Sequence, residues 1–118
     1  MILMKPDEIA EITEADVVLR SPTWQDADIS TGCSSDLMSD ILTLDVSNAI
    51  LITGLANEQA VRTADMADIH TILLVRSKMP TPAMLELAKE CGISLMRTRY
   101  TMFTVCGKLM NAGLKPPY

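Results

Sequence analysis

Three short apolar runs constrain this chain more than any other feature. They are Ala49 to Thr53 (AILIT), Thr71 to Arg76 (TILLVR) and Ile93 to Met96 (ISLM). A continuous apolar run of this length is the pattern of a strand buried on both faces. Helix punctuation lies between and after the runs. Asn57 caps a helix with Ala60, Val61, Ala64 and Ala67 on one face. Thr81 and Pro82 open a second, carrying Met84, Leu85, Leu87 and Ala88, which Gly92 stops after Cys91. Thr101 opens a last helix that Gly113 ends. Residues 49–113 therefore read strand–helix–strand–helix–strand–helix. Buried strands joined through helices imply right-handed crossovers and an α/β fold with a mainly parallel sheet.

The first 48 residues carry weaker signals. Pro6 to Thr13 reads as a short helix, with Pro6 in its first turn and Asp7 and Glu8 at its positive end. Val17 to Leu19 reads as a short strand and Ser21 to Asp28 as a loop. Ile29 to Thr31 is predicted as a second short strand, and Asp36 to Leu42 as a helix carrying Leu37, Met38, Ile41 and Leu42. Between these two lies Thr31-Gly32-Cys33-Ser34-Ser35-Asp36. Two readings of it stand open. Ser34, Ser35 or Asp36 caps the helix, with Gly32 supplying a turn. Alternatively, the helix N-terminus holds a small ligand or anion. In the second reading Asp36 and Asp40 disfavour a bare phosphate and suit a hydrated magnesium ion.

Parallel sheets bind ligands beyond the carboxyl ends of their strands. Those ends carry Thr53 and Gly54, Arg76, and Arg97 with Arg99. The candidate ligand-binding residues are thus Gly32, Cys33, Ser34, Ser35, Asp36, Thr53, Gly54, Arg76, Arg97 and Arg99. The arginines, with Tyr100, suit an anionic or nucleotide ligand. Each also has an ordinary reading, as solvated surface charge or as a tight strand-to-helix turn. Cys33 at a helix N-terminus would have a lowered pKa and act as a nucleophile; otherwise it is a small buried apolar residue. His70, the one histidine, reads as structural.

The 118 residues fit one domain, expected to span the whole chain with its core at about residues 5–113. Net charge is −5 with no basic run, which argues against duplex nucleic acid. Four aromatic residues give little for stacking single strands. No apolar run approaches the roughly 20 residues that cross a bilayer. Met1 to Pro6 is too short for a signal peptide, so a cytoplasmic location is expected. Cys33, Cys91 and Cys106 lack the close pairing of zinc or iron–sulfur ligands, so reduced thiols and no metal or other cofactor are expected.

Taken together, GCSSDLMSDIL, ILITGL, VRTADMADIHTILLVRSKMP and ELAKECGISLMRTRYTMFTVCGKL resemble the stand-alone members of the DRTGG domain family over about residues 5–113. The resemblance implies a small three-layer α/β/α domain like the N-terminal domain of HPr kinase/phosphorylase. Related copies accompany CBS domains in regulated pyrophosphatases and form part of some phosphotransacetylases. Stand-alone members are often encoded near hydrogenase and redox components. Thr53-Gly54 matches part of the name-giving motif, whereas Leu55 stands at its second glycine and no Asp-Arg pair occurs. A phosphate-binding loop, Gly-x-x-x-x-Gly-Lys-Ser/Thr, is absent, so the kinase chemistry of HPr kinase is not expected.

The expected function is a non-catalytic regulatory or interaction domain, a homodimer linked to hydrogenase or redox partners. One alternative is a nucleotide- or anion-binding sensor. Another is a small enzyme using the Cys33 thiol or a metal held by Asp36 and Asp40. The dimer expectation rests on the last helix, where Met102, Phe103, Val105, Cys106, Leu109 and Met110 form too wide an apolar set for one buried face.

Overall fold

The computed structural model describes residues 2–118. The elements run α1 (Pro6–Thr13), β1 (Asp16–Leu19), a 3-10 turn (Trp24–Asp26), β2 (Thr31–Ser34), α2 (Met38–Ile41), β3 (Ala49–Thr53), α3 (Glu58–Met66), β4 (Thr71–Leu74), α4 (Pro82–Cys91), β5 (Ser94–Arg97) and α5 (Met102–Asn111). Five strands form one sheet in the order β1-β5-β4-β3-β2. Strands β2 to β5 are mutually parallel, and β1 adds antiparallel to β5 at the edge.

The local chemistry accounts for the helix limits. The Asn57 side chain accepts from the Gln59 N–H, Thr81 from Met84 and Thr101 from Thr104, each relieving a donor that the first turn leaves unpaired. Gly92 closes α4 at φ 69, a left-handed conformation that a side chain would strain. Helix α1 spans the predicted residues, with its end turned by Glu14 at φ 52.

The sheet buries apolar side chains on both faces, and strand alternation sorts them. Leu51, Ile72 and Leu95 meet Ala60, Val61 and Ala64 of α3 and Met84 and Ala88 of α4. On the opposite face Ile50, Ile52, Leu73 and Met96 meet Ile9 of α1 and Val105 and Leu109 of α5. This is the expected α/β/α layering. Alanines on α3 and α4 bring those helices close to the sheet, so a larger residue at Ala60 or Ala64 would overpack it. Polar groups inside are paired. Thr98 donates through Oγ1 to the Thr13 carbonyl at 2.7 Å, and Ser94 to Ser21 Oγ at 2.9 Å.

The region before β3 departs from expectation. Its strand starts at Thr31, not Ile29, so Gly32, Cys33 and Ser34 lie within a strand and cap nothing. Helix α2 is one turn, Met38–Ile41, shorter than the predicted 36–42. Its N-cap residue is Leu37, with no side-chain cap bond. The strand is fixed by distant partners. Thr31 to Ser34 pair with Ala49 to Ile52, and the outer edge of the strand meets Lys115.

Candidate functional site

All four parallel strands send their carboxyl ends to one edge, and two chemically different corners develop there. At the β2–β3 corner, Thr53 is fully buried and its hydroxyl donates to Asp36 Oδ1 at 3.0 Å. The Gly54 N–H donates to the same oxygen at 2.6 Å. The Leu55 N–H donates in turn to Thr53 Oγ1 at 3.1 Å. A Cβ at Gly54 would sit 3.4 Å from Asp36 Oδ1, so glycine lets the carboxylate close in. Asp36 thus occupies, as an internal anion, the donors that a bound anion would need. Ser35 makes its own local turn, its Oγ accepting from the Leu37 N–H at 3.0 Å.

The β4–β5 corner is basic. The chain leaves β4 through Arg76 and Ser77, both left-handed at φ 58 and 57, and the Lys78 N–H returns to the Val75 carbonyl. The Arg76 N–H donates to the Tyr100 carbonyl and the Ser77 N–H to that of Thr98, tying this turn to the end of β5. Arg97 clamps the same turn. Its Nη2 donates to the Ser77 carbonyl at 2.8 Å and its Nε to that of Lys78 at 3.2 Å. Arg99 lies 3.5 Å from Glu14 Oε1 and over the Tyr100 ring. Lys108 of α5 approaches the same ring from 5.2 Å. The Tyr100 hydroxyl donates to Glu14. That bond, followed by Arg99 and Lys108, holds the Glu14 carboxyl below its ordinary value. The Arg76 side chain is exposed, and no hydrogen bond or ion pair engages its guanidinium among the described residues.

The predicted site residues therefore separate into groups. Asp36, Thr53 and Gly54 come together. Arg76, Arg97 and Arg99 gather at the other corner with Tyr100, as expected of strand ends, and Glu14, Lys78 and Lys108 join them there without any sequence motif to mark them. Gly32, Ser34 and Ser35 line a third feature, a groove of about 550 Å³ along the outer edge of β2. Gly32 supplies space there and no turn: a Cβ would meet Leu114 Cδ2 at 3.1 Å.

Cys33 faces the core under α3 and is fully buried. Burial pushes its thiol above the ordinary value, the reverse of the lowered pKa expected at a helix N-terminus. His70 lies before the amino end of β4 and meets Asp68 at 3.0 Å, so it does not serve Cys33. Asp36 is engaged by Thr53 and Gly54 while Asp40 lines the groove, and no group of three metal-ligating side chains occurs among the described residues.

No protein-family model matches the chain, and no curated protein matches it. Among solved structures, it is similar to the CBS and DRTGG domains of the regulatory region of Clostridium perfringens pyrophosphatase, a structure complexed with its activator, diadenosine tetraphosphate. The match has a TM-score of 0.69 at 14% identity and covers 93% of this chain. The chain spans about half, 47%, of the length of that regulatory region. The architecture built from residues 5–113 and this likeness agree: the chain adopts a DRTGG-like α/β/α fold.

Proposed function

We propose that this chain is a non-catalytic regulatory domain that senses a polyphosphate anion, a nucleotide in the first instance, at the β4–β5 corner. The observation that carries the reading is the clustering of charge. The chain is net −5, yet Arg76, Lys78, Arg97, Arg99 and Lys108, five of its ten lysines and arginines, cluster around Tyr100 and the Val75–Lys78 turn. Arg97 and the backbone bonds from Arg76 and Ser77 hold the frame. The exposed Arg76 guanidinium supplies unengaged charge, and Arg99, paired with Glu14 at 3.5 Å, turns to the ligand when it binds. Helix α5 starts beside them, so its positive end adds to the attraction. The Tyr100 ring holds Arg99 and Lys108 beside the Val75–Lys78 turn. The likeness to a regulatory region crystallised with a dinucleoside polyphosphate supports this reading.

Thermal melts with ATP, diadenosine tetraphosphate, inorganic tripolyphosphate and orthophosphate test it. Ligand at a hundredfold its dissociation constant stabilises the fold by about 2.7 kcal/mol, which raises the melting temperature by several degrees. Polyphosphates are expected to give this rise and orthophosphate is not. A flat profile across all four ligands would reject the assignment.

A second copy of the chain is the proposed partner. Phe103 is 90% exposed and Met110 58%, and Gly107 between them leaves open space, so positions i, i+4 and i+7 of α5 form an apolar strip. Light scattering at micromolar concentration is expected to give twice the monomer mass, and Phe103→Asp to return it to one.

A further inference from the structure

We propose that the outer edge of β2 is a docking groove for an extended peptide segment of a partner protein, one alternating apolar and basic residues, which adds to the sheet as a sixth strand. The groove shares no residue with the β4–β5 corner. It has a volume of about 550 Å³, with Ile41, Leu44, Ile52, Leu109 and Leu114 among its apolar walls and Ser34 and Asp40 at its polar side.

The chain already shows what kind of occupant the edge takes. Lys115 lies beside β2 as a one-residue parallel strand: its N–H donates to the Ser30 carbonyl at 3.0 Å, and its carbonyl accepts from the Gly32 N–H at 2.9 Å. A parallel ladder continues two residues further on. The next rung needs an N–H from residue 117 to the Gly32 carbonyl, and residue 117 is proline, which has none. Pairing therefore stops after one rung. Strand alternation turns the Gly32 carbonyl and the Ser34 N–H away from β3, toward this groove. An incoming strand pairs with those two groups through its backbone and places alternate side chains in the apolar cavity, the pattern of strand addition. Asp40 lines the groove past the carboxyl end of β2, while Lys115 lies at its other end beside Thr31. A lysine or arginine is therefore favoured at the positions of the incoming strand that pass Asp40.

The probe is the synthetic peptide acetyl-Lys-Val-Lys-Val-Lys-Val-amide, followed by amide chemical shifts of the full chain. Saturable shifts at Gly32, Ser34 and Leu109 are expected. Swapping lysine for glutamate should weaken binding. N-methylation of one alternate set of peptide amides should weaken it by roughly threefold to tenfold per lost bond, and methylation of the other set should not. Pro117→Ala restores the missing donor, so the tail should close the edge, slow hydrogen exchange at Ser34 and compete with the peptide. Shifts confined to other surfaces, equal binding by both methylated peptides, or no saturable binding by the lysine peptide would overturn the proposal. So would protection of Ser34 in a wild-type dimer alone, which would make a second copy the occupant.

Discussion

The two corners of the carboxyl edge use similar chemical groups to opposite ends. At the β2–β3 corner the donors at the end of β3 are spent: the Thr53 hydroxyl and the Gly54 N–H both point at Asp36, and the Leu55 N–H at Thr53. At the β4–β5 corner the backbone and Arg97 satisfy one another and Arg99 pairs with Glu14, while the Arg76 guanidinium stays unengaged at the surface among the described residues. A carboxylate folded into a cradle of donors makes structure, and exposed guanidinium charge held on a rigid turn is what the proposed anion site needs. The difference lies in which donors are already engaged, since both corners contain donors at strand ends.

The contrast breaks if the closed corner turns out to bind. Asp36→Ala removes the acceptor for a buried hydroxyl and for a backbone N–H. It is expected to cost about 1–3 kcal/mol in urea unfolding and to leave polyphosphate affinity unchanged. A loss of affinity without loss of stability would reverse the roles of the two corners.

Arg97→Ala sharpens the comparison, because Arg97 belongs to the proposed anion-binding corner and yet acts structurally. It gives up two bonds to carbonyls that are partly open to water, so a cost of about 1 kcal/mol is expected. Hydrogen exchange should quicken at Ser77 and Lys78, and affinity should fall with the loosened turn. Arg97→Lys restores charge without the two-pronged geometry and should recover little of the order.

The smallest effect concerns pH. Glu14 is lowered from its ordinary value of 4.5 by Tyr100, Arg99 and Lys108, so the folded state holds its proton less tightly than the unfolded chain. Its contribution is present above pH 4.5 and is lost as pH falls through the lowered value. Glu14→Gln should flatten this part of the acid stability profile slightly, since the group is exposed. An unchanged profile would show that the Tyr100 contact adds nothing in solution.

Much of the fold was legible in residues 49–113. There the strands announce themselves by apolar runs, and caps such as Asn57, Thr81 and Thr101 mark helix starts to the residue. The limits of β2 are not legible in this way, because Ile29 to Ser34 mixes small, polar and apolar residues without a clear period. Its position follows from Asn48 and Lys115, remote in sequence. For the same reason nothing local separates a Cys33 inside a strand from one at a helix start, and the direction of its pKa shift follows only from its burial. The antiparallel attachment of β1 carries no local signature either. Of the candidate site, strand-end logic brought Asp36 to Thr53 and Gly54 and put the arginines at the same edge. It could not foresee that Asp36 consumes the donors, because that depends on a bond spanning 18 residues. Lys108 and Glu14 reach the basic corner from α5 and the end of α1, which no motif marks.

The most direct test is calorimetric titration of tripolyphosphate and ATP into the wild-type chain, Arg76→Ala/Arg99→Ala and Asp36→Ala, at low and at physiological salt. The account predicts saturable binding by the wild type that weakens with salt, as exposed charge–charge attraction does. It predicts that binding falls by at least about tenfold in the double arginine variant, as expected for lost charge-assisted contacts. It predicts no change in affinity for Asp36→Ala. Equal affinities for the wild type and the double arginine variant, or no binding by the wild type, would contradict it.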